Sequence, residues 1–197
     1  TNNSRLTKNE INNFFYDKFF ELDVQEILFS SKNYFKFEIN KNFKIKNLEI
    51  KSDIDLNYLK FKNSYKFQNI FPKIKDDLIV KDQKLTLEYK KHNLSINGSG
   101  GILIQDEIDT INYEILKKNN EIKFKTKLKI SGNPFKIDFL NYKKNKNFDL
   151  ELSLIGKRND KKQLLFDEIS LTEKKNIISI KNLFLSNKNK VNDLGNI

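Results

Sequence analysis

A chain of 197 residues can bury a core of its own, and its lack of Cys excludes disulfides and thiolate metal sites. The net charge is +11, yet Arg5 and Arg158 are the only arginines, and no Ala, Met or Trp occurs. Lys, Asn, Ile and Phe dominate, as in an AT-rich, bacterium-like genome, so the lysine surplus reads as compositional bias rather than selection by a polyanion.

The chain starts at Thr1 and is expected to be a piece of a longer protein. No apolar run exceeds three residues, which excludes a membrane-spanning helix within it. The first segment, residues 1–30, reads as helical. Thr7-Lys8-Asn9-Glu10 fits a capping box. Ile11, Phe14, Phe15, Phe19 and Leu22 then fall at helical spacing and make one apolar stripe. Lys8 and Lys18 are outweighed by Glu10, Asp17 and Glu21, so this helix is expected to pack on a sheet rather than lie on an anionic membrane.

Residues 31–197 read as antiparallel β-structure. From Tyr34 onward the period becomes two. Phe35, Phe37 and Ile39 alternate with polar residues, as do Phe43 and Ile45. Leu48 and Ile50 resume one step out of phase, which predicts a bulge near Asn47. Ile54 and Leu56, then Leu59 and Phe61, repeat that shift around Asn57. The stretch from Ile70 to Val80, with Pro72 and Asp76-Asp77, reads as a loop or an edge. Leu85, Leu87 and Tyr89 alternate again, followed by Leu94 and Ile96. Gly98-Ser99-Gly100-Gly101 is expected to bend or bulge the sheet. Ile111, Tyr113 and Ile115 form another strand.

The clearest strand has Ile122, Phe124, Thr126, Leu128 and Ile130 on one face and Lys123, Lys125, Lys127 and Lys129 on the other. A Gly132-Asn133-Pro134 turn leads to Phe135, Ile137 and Phe139, read as the next strand. Phe148, Leu150, Leu152 and Leu154 then alternate with acids. The Lys-rich, mixed and acidic outer faces can pair across strands. Two more strands lie near Leu164 to Ile169 and Ile177 to Leu185. Ile45-Lys46-Asn47-Leu48 returns as Ile180-Lys181-Asn182-Leu183, a faint internal echo. One apolar face with a single helix to cover it predicts a sheet that curls into a barrel, a sandwich or an open trough.

No catalytic set emerges, and no cofactor or metal is expected. His92, the sole histidine, sits beside Lys90-Lys91 in an expected turn. Asp53 with Asp55, and Asp106, Glu107 and Asp109, are better explained as solvated turn carboxylates than as a hydrolytic pair. Phe and Lys fall on opposite faces of the same strands, which tells against a single-stranded nucleic-acid platform.

The strand Leu85 to Tyr89, the turn Ile96-Asn97-Gly98-Ser99-Gly100, the long strand Ile122 to Ile130, and Gly132-Asn133-Pro134-Phe135 leading into Ile137-Asp138-Phe139-Leu140 together resemble the AsmA-like superfamily. The likeness is to its YhdP and TamB type bridge-like lipid transport proteins of the Gram-negative envelope, and it extends from Tyr34 to the C-terminus. The Ile-x-Asn-Leu strands at 45–50 and 180–185 fit it too, whereas Lys and Asn stand where relatives often carry Ala, Arg and Gly. The resemblance implies a non-enzymatic segment of a periplasmic protein, anchored to the inner membrane by a helix outside this sequence. It implies a long, twisted antiparallel sheet curled into an open trough whose apolar lining shields phospholipid acyl chains between inner and outer membranes. The implied lining is Leu85, Leu87, Tyr89, Leu94, Ile96, Ile122, Phe124, Leu128, Ile130, Phe135, Ile137, Phe139, Phe148, Leu150, Leu152 and Leu154. The alternatives are an envelope scaffold that binds a partner protein by strand addition and, behind it, a basic single-stranded nucleic-acid binder.

Overall fold

Alternating strands joined by short turns pair with their sequence neighbours, because such turns leave no chain for a crossover. The computed structural model follows that rule across almost its whole length. It describes residues 3–10, 23–63, 67–161, 163–186 and 191–196, with side chains described in all of these except Phe139 and 191–196. The strands are β1 (Ser4–Thr7), β2 (Val24–Ile39), β3 (Ile45–Lys62), β4 (Asp77–Lys90), β5 (Asn93–Leu103), β6 (Ile108–Lys118) and β7 (Glu121–Ile130). They continue as β8 (Lys136–Ile137), β9 (Tyr142–Lys143), β10 (Leu150–Arg158), β11 (Leu164–Glu173), β12 (Asn176–Leu185) and β13 (Val191–Asn196). Eleven of them form one antiparallel sheet in the order β1-β2-β3-β4-β5-β6-β7-β10-β11-β12-β13, and β8 and β9 pair separately. The two outermost strands do not pair, so the sheet is not closed. The accessible surface is 13806 Å², against about 9,700 Å² for a compact protein of this mass. Among the described residues, most side chains of the apolar face are only half-buried.

The N-terminal segment departs from expectation. Residues 4–7 and 24–30 are strand rather than helix. The register of β2 against β3 shifts between Val24 and Glu26, and this irregularity disguises the period of two in the sequence. The capping box forms in altered form. One Glu10 carboxylate oxygen accepts from the Thr7 amide and the Thr7 hydroxyl, both at 2.8 Å. The Thr7 hydroxyl thus donates instead of accepting an early helix amide. A helical turn starts at Lys8–Glu10; the stripe Ile11, Phe14, Phe15, Phe19 and Leu22 lies outside the described residues.

Both predicted phase shifts are bulges. Lys36 pairs with Glu49 and Glu38 with Lys46, so Phe37 faces both Asn47 and Leu48. Asn57 has no partner on β2 and lies opposite Asp82 of β4. A further bulge puts Asp167 of β11 opposite Asn182. Asn47, Asp82 and Asn182 have φ of 49°, 48° and 56°, the left-handed region that Asn and Asp tolerate best. The echoed Ile-Lys-Asn-Leu is thus a strand motif with its asparagine in the left-handed region, at a bulge in the case of Asn47 and opposite the bulged Asp167 in the case of Asn182.

Gly98–Gly101 lies inside β5, so the turn read at Ile96–Gly100 does not form; the bulge expected of these glycines is present at their pairing, but on the neighbouring β4. A Cβ on Gly100 would lie 2.6 Å from the Asp82 carbonyl oxygen and 2.7 Å from Gln83 Cα, so the glycine accommodates its neighbour's bulge. Phe135, Ile137 and Phe139 do not form the strand after β7. Instead β7 pairs directly with β10, and residues 131–149 leave the sheet. Lys127 and Lys129 consequently reach Glu151 and Asp149, at 3.0 and 2.8 Å. These exposed pairs favour the observed register more than they add stability.

The excursion 131–149 and the β3–β4 connection fold over one end of the apolar face. There Ile102, Ile104, Leu128, Ile130, Phe135, Leu150 and Leu171 form the buried core, with Ile70, Phe71, Ile74, Ile137 and Tyr142 packed against it. Phe135 is edge-on to Phe71 and Tyr142, with ring centroids 5.4 and 6.4 Å away. These connections supply the cover assigned in the sequence to a helix.

Candidate functional site

Residues paired across strands share a face, so the register defines what the apolar face presents. One row runs Ser52, Leu87, Ile96, Ile115, Phe124, Gly156, Phe166 and Leu183 from β3 to β12. The next runs Ile54, Leu85, Gly98, Tyr113, Thr126, Leu154, Ile169 and Ile180. Eight strands at ~4.8 Å spacing make each row roughly 34 Å long. That exceeds a single lipid tail, which spans half of the ~30 Å bilayer core.

Glycines on this face are filled by neighbouring rings. Phe124 and Phe166 flank Gly156 and meet edge to face at 5.7 Å, a packing that makes up for the missing side chain. The Tyr113 ring lies over Gly98, where a Cβ would come within 2.5 Å of it. Burial pushes the Tyr113 hydroxyl up to about 12, so it stays a neutral phenol on an apolar surface.

Of the expected lining, Leu85, Leu87, Tyr89, Leu94, Ile96, Ile122, Phe124, Leu128, Ile130, Leu150, Leu152 and Leu154 share this face. They divide into two zones. Leu85, Leu87, Tyr89, Leu94, Ile96, Ile122, Phe124, Leu152 and Leu154 are half-buried. Ile130 and Leu150 are 0% exposed and Leu128 is buried, so these three belong to the packed end. Phe135 and Ile137 lie on the connection that covers that end. Phe148 lies beside the Lys174 ammonium, 3.2 Å from its ring centroid. The Phe139 side chain lies outside what the structure describes. The face also includes Ile111, Tyr113 and Ile115, whose alternation was legible in the sequence but which were not assigned to the lining.

The covered end contains a polar network that the sequence did not reveal. Gln105, Asn133, Asp109 and Lys144 are all buried. Gln105 accepts from the Lys73 amide at 2.9 Å and donates to the Pro134 carbonyl at 2.8 Å. Asn133 accepts from the Glu107 amide at 3.0 Å, and donates to the Glu107 carbonyl at 2.7 Å and to Asp109 Oδ2 at 2.9 Å. The Ser131 amide donates to Asp109 Oδ1 at 3.3 Å, and Lys144 Nζ donates to the Ser131 carbonyl. Burial raises the Asp109 carboxyl above its usual range, against the lowering effect of the bonds from Asn133 and Ser131. Asp109 is thus a buried anchor rather than a solvated turn residue, while Asp106 is exposed and pairs with Lys73 at 2.7 Å. The bonded groups satisfy one another, so the arrangement holds the cover in place.

His92 occupies the β4–β5 turn, exposed, with Nδ1 3.3 Å from the Tyr89 hydroxyl. Among the described residues no three His, Asp or Glu side chains group as metal ligands. No helix of the described residues is long and apolar enough to cross a membrane. No protein-family model, curated protein or solved structure matches the chain.

Proposed function

We propose that this chain is a segment of a periplasmic bridge protein of the AsmA-like kind, anchored to the inner membrane by a region outside this sequence. Its sheet curls into a trough whose apolar rows shield phospholipid acyl chains passing between inner and outer membranes. The observation that supports this is the apolar face itself: continuous across β3 to β12, half-buried, and, among the described residues, covered at one end. Each CH₂ that leaves water for such a lining gains about 0.8 kcal/mol. Because neighbouring rows are chemically alike, a chain can slide along them as readily as it binds. The test is to purify the chain, extract it with organic solvent and analyse the extract by mass spectrometry. Co-purified phospholipid is the expected result. Its absence, with the apolar rows protected by the protein's own packing, would refute the reading.

A second reading, an envelope scaffold that receives a partner's strand, is favoured by one feature. β1 pairs with β2 only along Glu26–Phe29, so among the described residues the outer edge of β2 from Ser30 to Ile39 has no strand beside it. A stable partner in a pull-down, with no bound lipid, would select it.

A further inference from the structure

The tip of the β2–β3 hairpin is a different surface from the apolar rows. The last pair between β3 and β4 is Glu49 with Lys90, so residues 45–48 have no β4 neighbour. On the other side β1 stops at Phe29. Among the described residues the tip is therefore a two-stranded ribbon without a third strand, an arrangement that is marginal in water.

This tip is rich in exposed apolar side chains. Phe43 is 91% exposed, Ile39 and Ile45 are each 59% and Phe35 is 56%. It is also locally basic. Residues 32–46 hold Lys32, Lys36, Lys41, Lys44 and Lys46 against the single acid Glu38, a lysine share of a third where the whole chain has under a fifth. Glu38 is engaged by the Asn47 side-chain amide at 2.8 Å, and none of the five lysines is within ion-pair distance of an acid among the described residues.

The turn that carries Phe43 is well tied. Asn40 Oδ1 accepts from the amides of Asn42 and Lys44 at 3.0 and 2.9 Å, and the Phe43 amide donates to the Asn40 carbonyl at 2.9 Å. Phe43 itself sits at φ 55°, a conformation a bulky residue adopts at a cost. An ordered turn thus holds a fully presented aromatic side chain among unpaired cations.

We propose that this hairpin tip docks on an anionic phospholipid bilayer, with Phe43 and its apolar neighbours in the interfacial layer and the lysines on the headgroup phosphates. The excess of positive charge over residues 32–46 is the complement of such a surface. It disfavours a second copy of the chain, whose tip would carry the same charge. The proposal goes beyond acyl-chain shielding and does not require it.

The test is co-sedimentation of the whole chain with vesicles of phosphatidylcholine alone or mixed with phosphatidylglycerol. Pelleting with the mixed vesicles, weakened by salt and absent with phosphatidylcholine alone, is expected. Phe43→Asn removes the ring while suiting the left-handed turn, so the fold survives and far-UV circular dichroism verifies it. That variant, and separately Lys41→Glu combined with Lys44→Glu, should each weaken vesicle binding about tenfold or more. The proposal is overturned if mixed vesicles bring down no protein or if Phe43→Asn binds them as the unaltered chain does. It is equally overturned if Phe43→Asn only converts a dimer to a monomer in analytical ultracentrifugation, which would assign the tip to a second copy. Phospholipid recovered from the purified chain reports on the acyl-chain reading alone, so the two ideas fail separately.

Discussion

Replacing Asn133 with alanine tests whether the cover over the packed end is a fixed part of the fold. Asn133 is 2% exposed and satisfies three partners, at 3.0, 2.7 and 2.9 Å. Alanine would leave the Glu107 amide, the Glu107 carbonyl and Asp109 Oδ2 short of a partner. Asp109 is buried while Glu107 is an exposed residue, so only the Asp109 oxygen carries the full ~1–3 kcal/mol cost of an orphaned buried group. The Glu107 groups add less, and water entering the vacated space recovers part of the cost, so the expected loss is about 2–3 kcal/mol. The loss should also depend on pH. Asp109 already has a raised carboxyl pKa, and the Asn133 hydrogen bond is the largest influence holding it down. Without that bond it rises further. An acid whose folded pKa lies above its unfolded value loses stability as pH climbs through that interval. The variant's deficit should therefore be larger at neutral pH than at pH values near or below the unfolded carboxylate pKa of 3.8. Urea unfolding followed by circular dichroism, repeated across this range, measures both. A deficit under ~1 kcal/mol, or one that does not change with pH, would refute the role assigned to the network. Hydrogen exchange adds a local readout: amides in 131–149 should lose protection before those of β5 to β7.

Other consequences can be checked in the same way. Leu150→Ala removes a fully buried side chain and should cost about 2–5 kcal/mol in chemical unfolding, while Leu87→Ala, on the open rows, should cost about 1 kcal/mol. Asn47→Val and Asn182→Val force β-branched residues into φ of 49° and 56°; each should lower stability by ~1–2 kcal/mol, and glycine at either position should largely restore it. Asp77, Asp106 and Asp149 are held below their usual range chiefly by hydrogen bonds from Lys60, Lys73 and Lys129. Their folded pKa values lie under the unfolded one, so their contribution is present above it and lost as pH falls through 3.8 and below. Acid titration of the urea midpoint should show that fall, and Asp106→Asn should lessen it.

The strand pattern was legible because a half-buried antiparallel sheet writes its burial directly into alternate positions. β7 reads this way without interruption from Ile122 to Ile130. The bulges at Asn47 and Asn57 were equally visible, since one extra residue inverts the phase of everything after it. The same effect concealed the start of β2, where an irregularity after Val24 breaks the alternation and a run of phenylalanines upstream suggests a helix. Asp109, Asn133 and Lys144 could not be read as an anchor, because their burial is caused by segments distant in sequence. In the chain they look like ordinary turn residues. The glycines of β5 misled for a related reason: Gly100 answers a bulge that lies on another strand.

The sequence by itself determined a mainly antiparallel sheet with one apolar and one charged face, since strand period and turn chemistry are local properties. Tertiary structure alone decided that the sheet stays open and that residues 131–149 leave it to cover one end. It also decided that, among the described residues, the remaining apolar rows are only half-buried and the β2–β3 tip is exposed. Those outcomes depend on which distant segments meet, and alternation along a strand carries no information about what will lie over its apolar side.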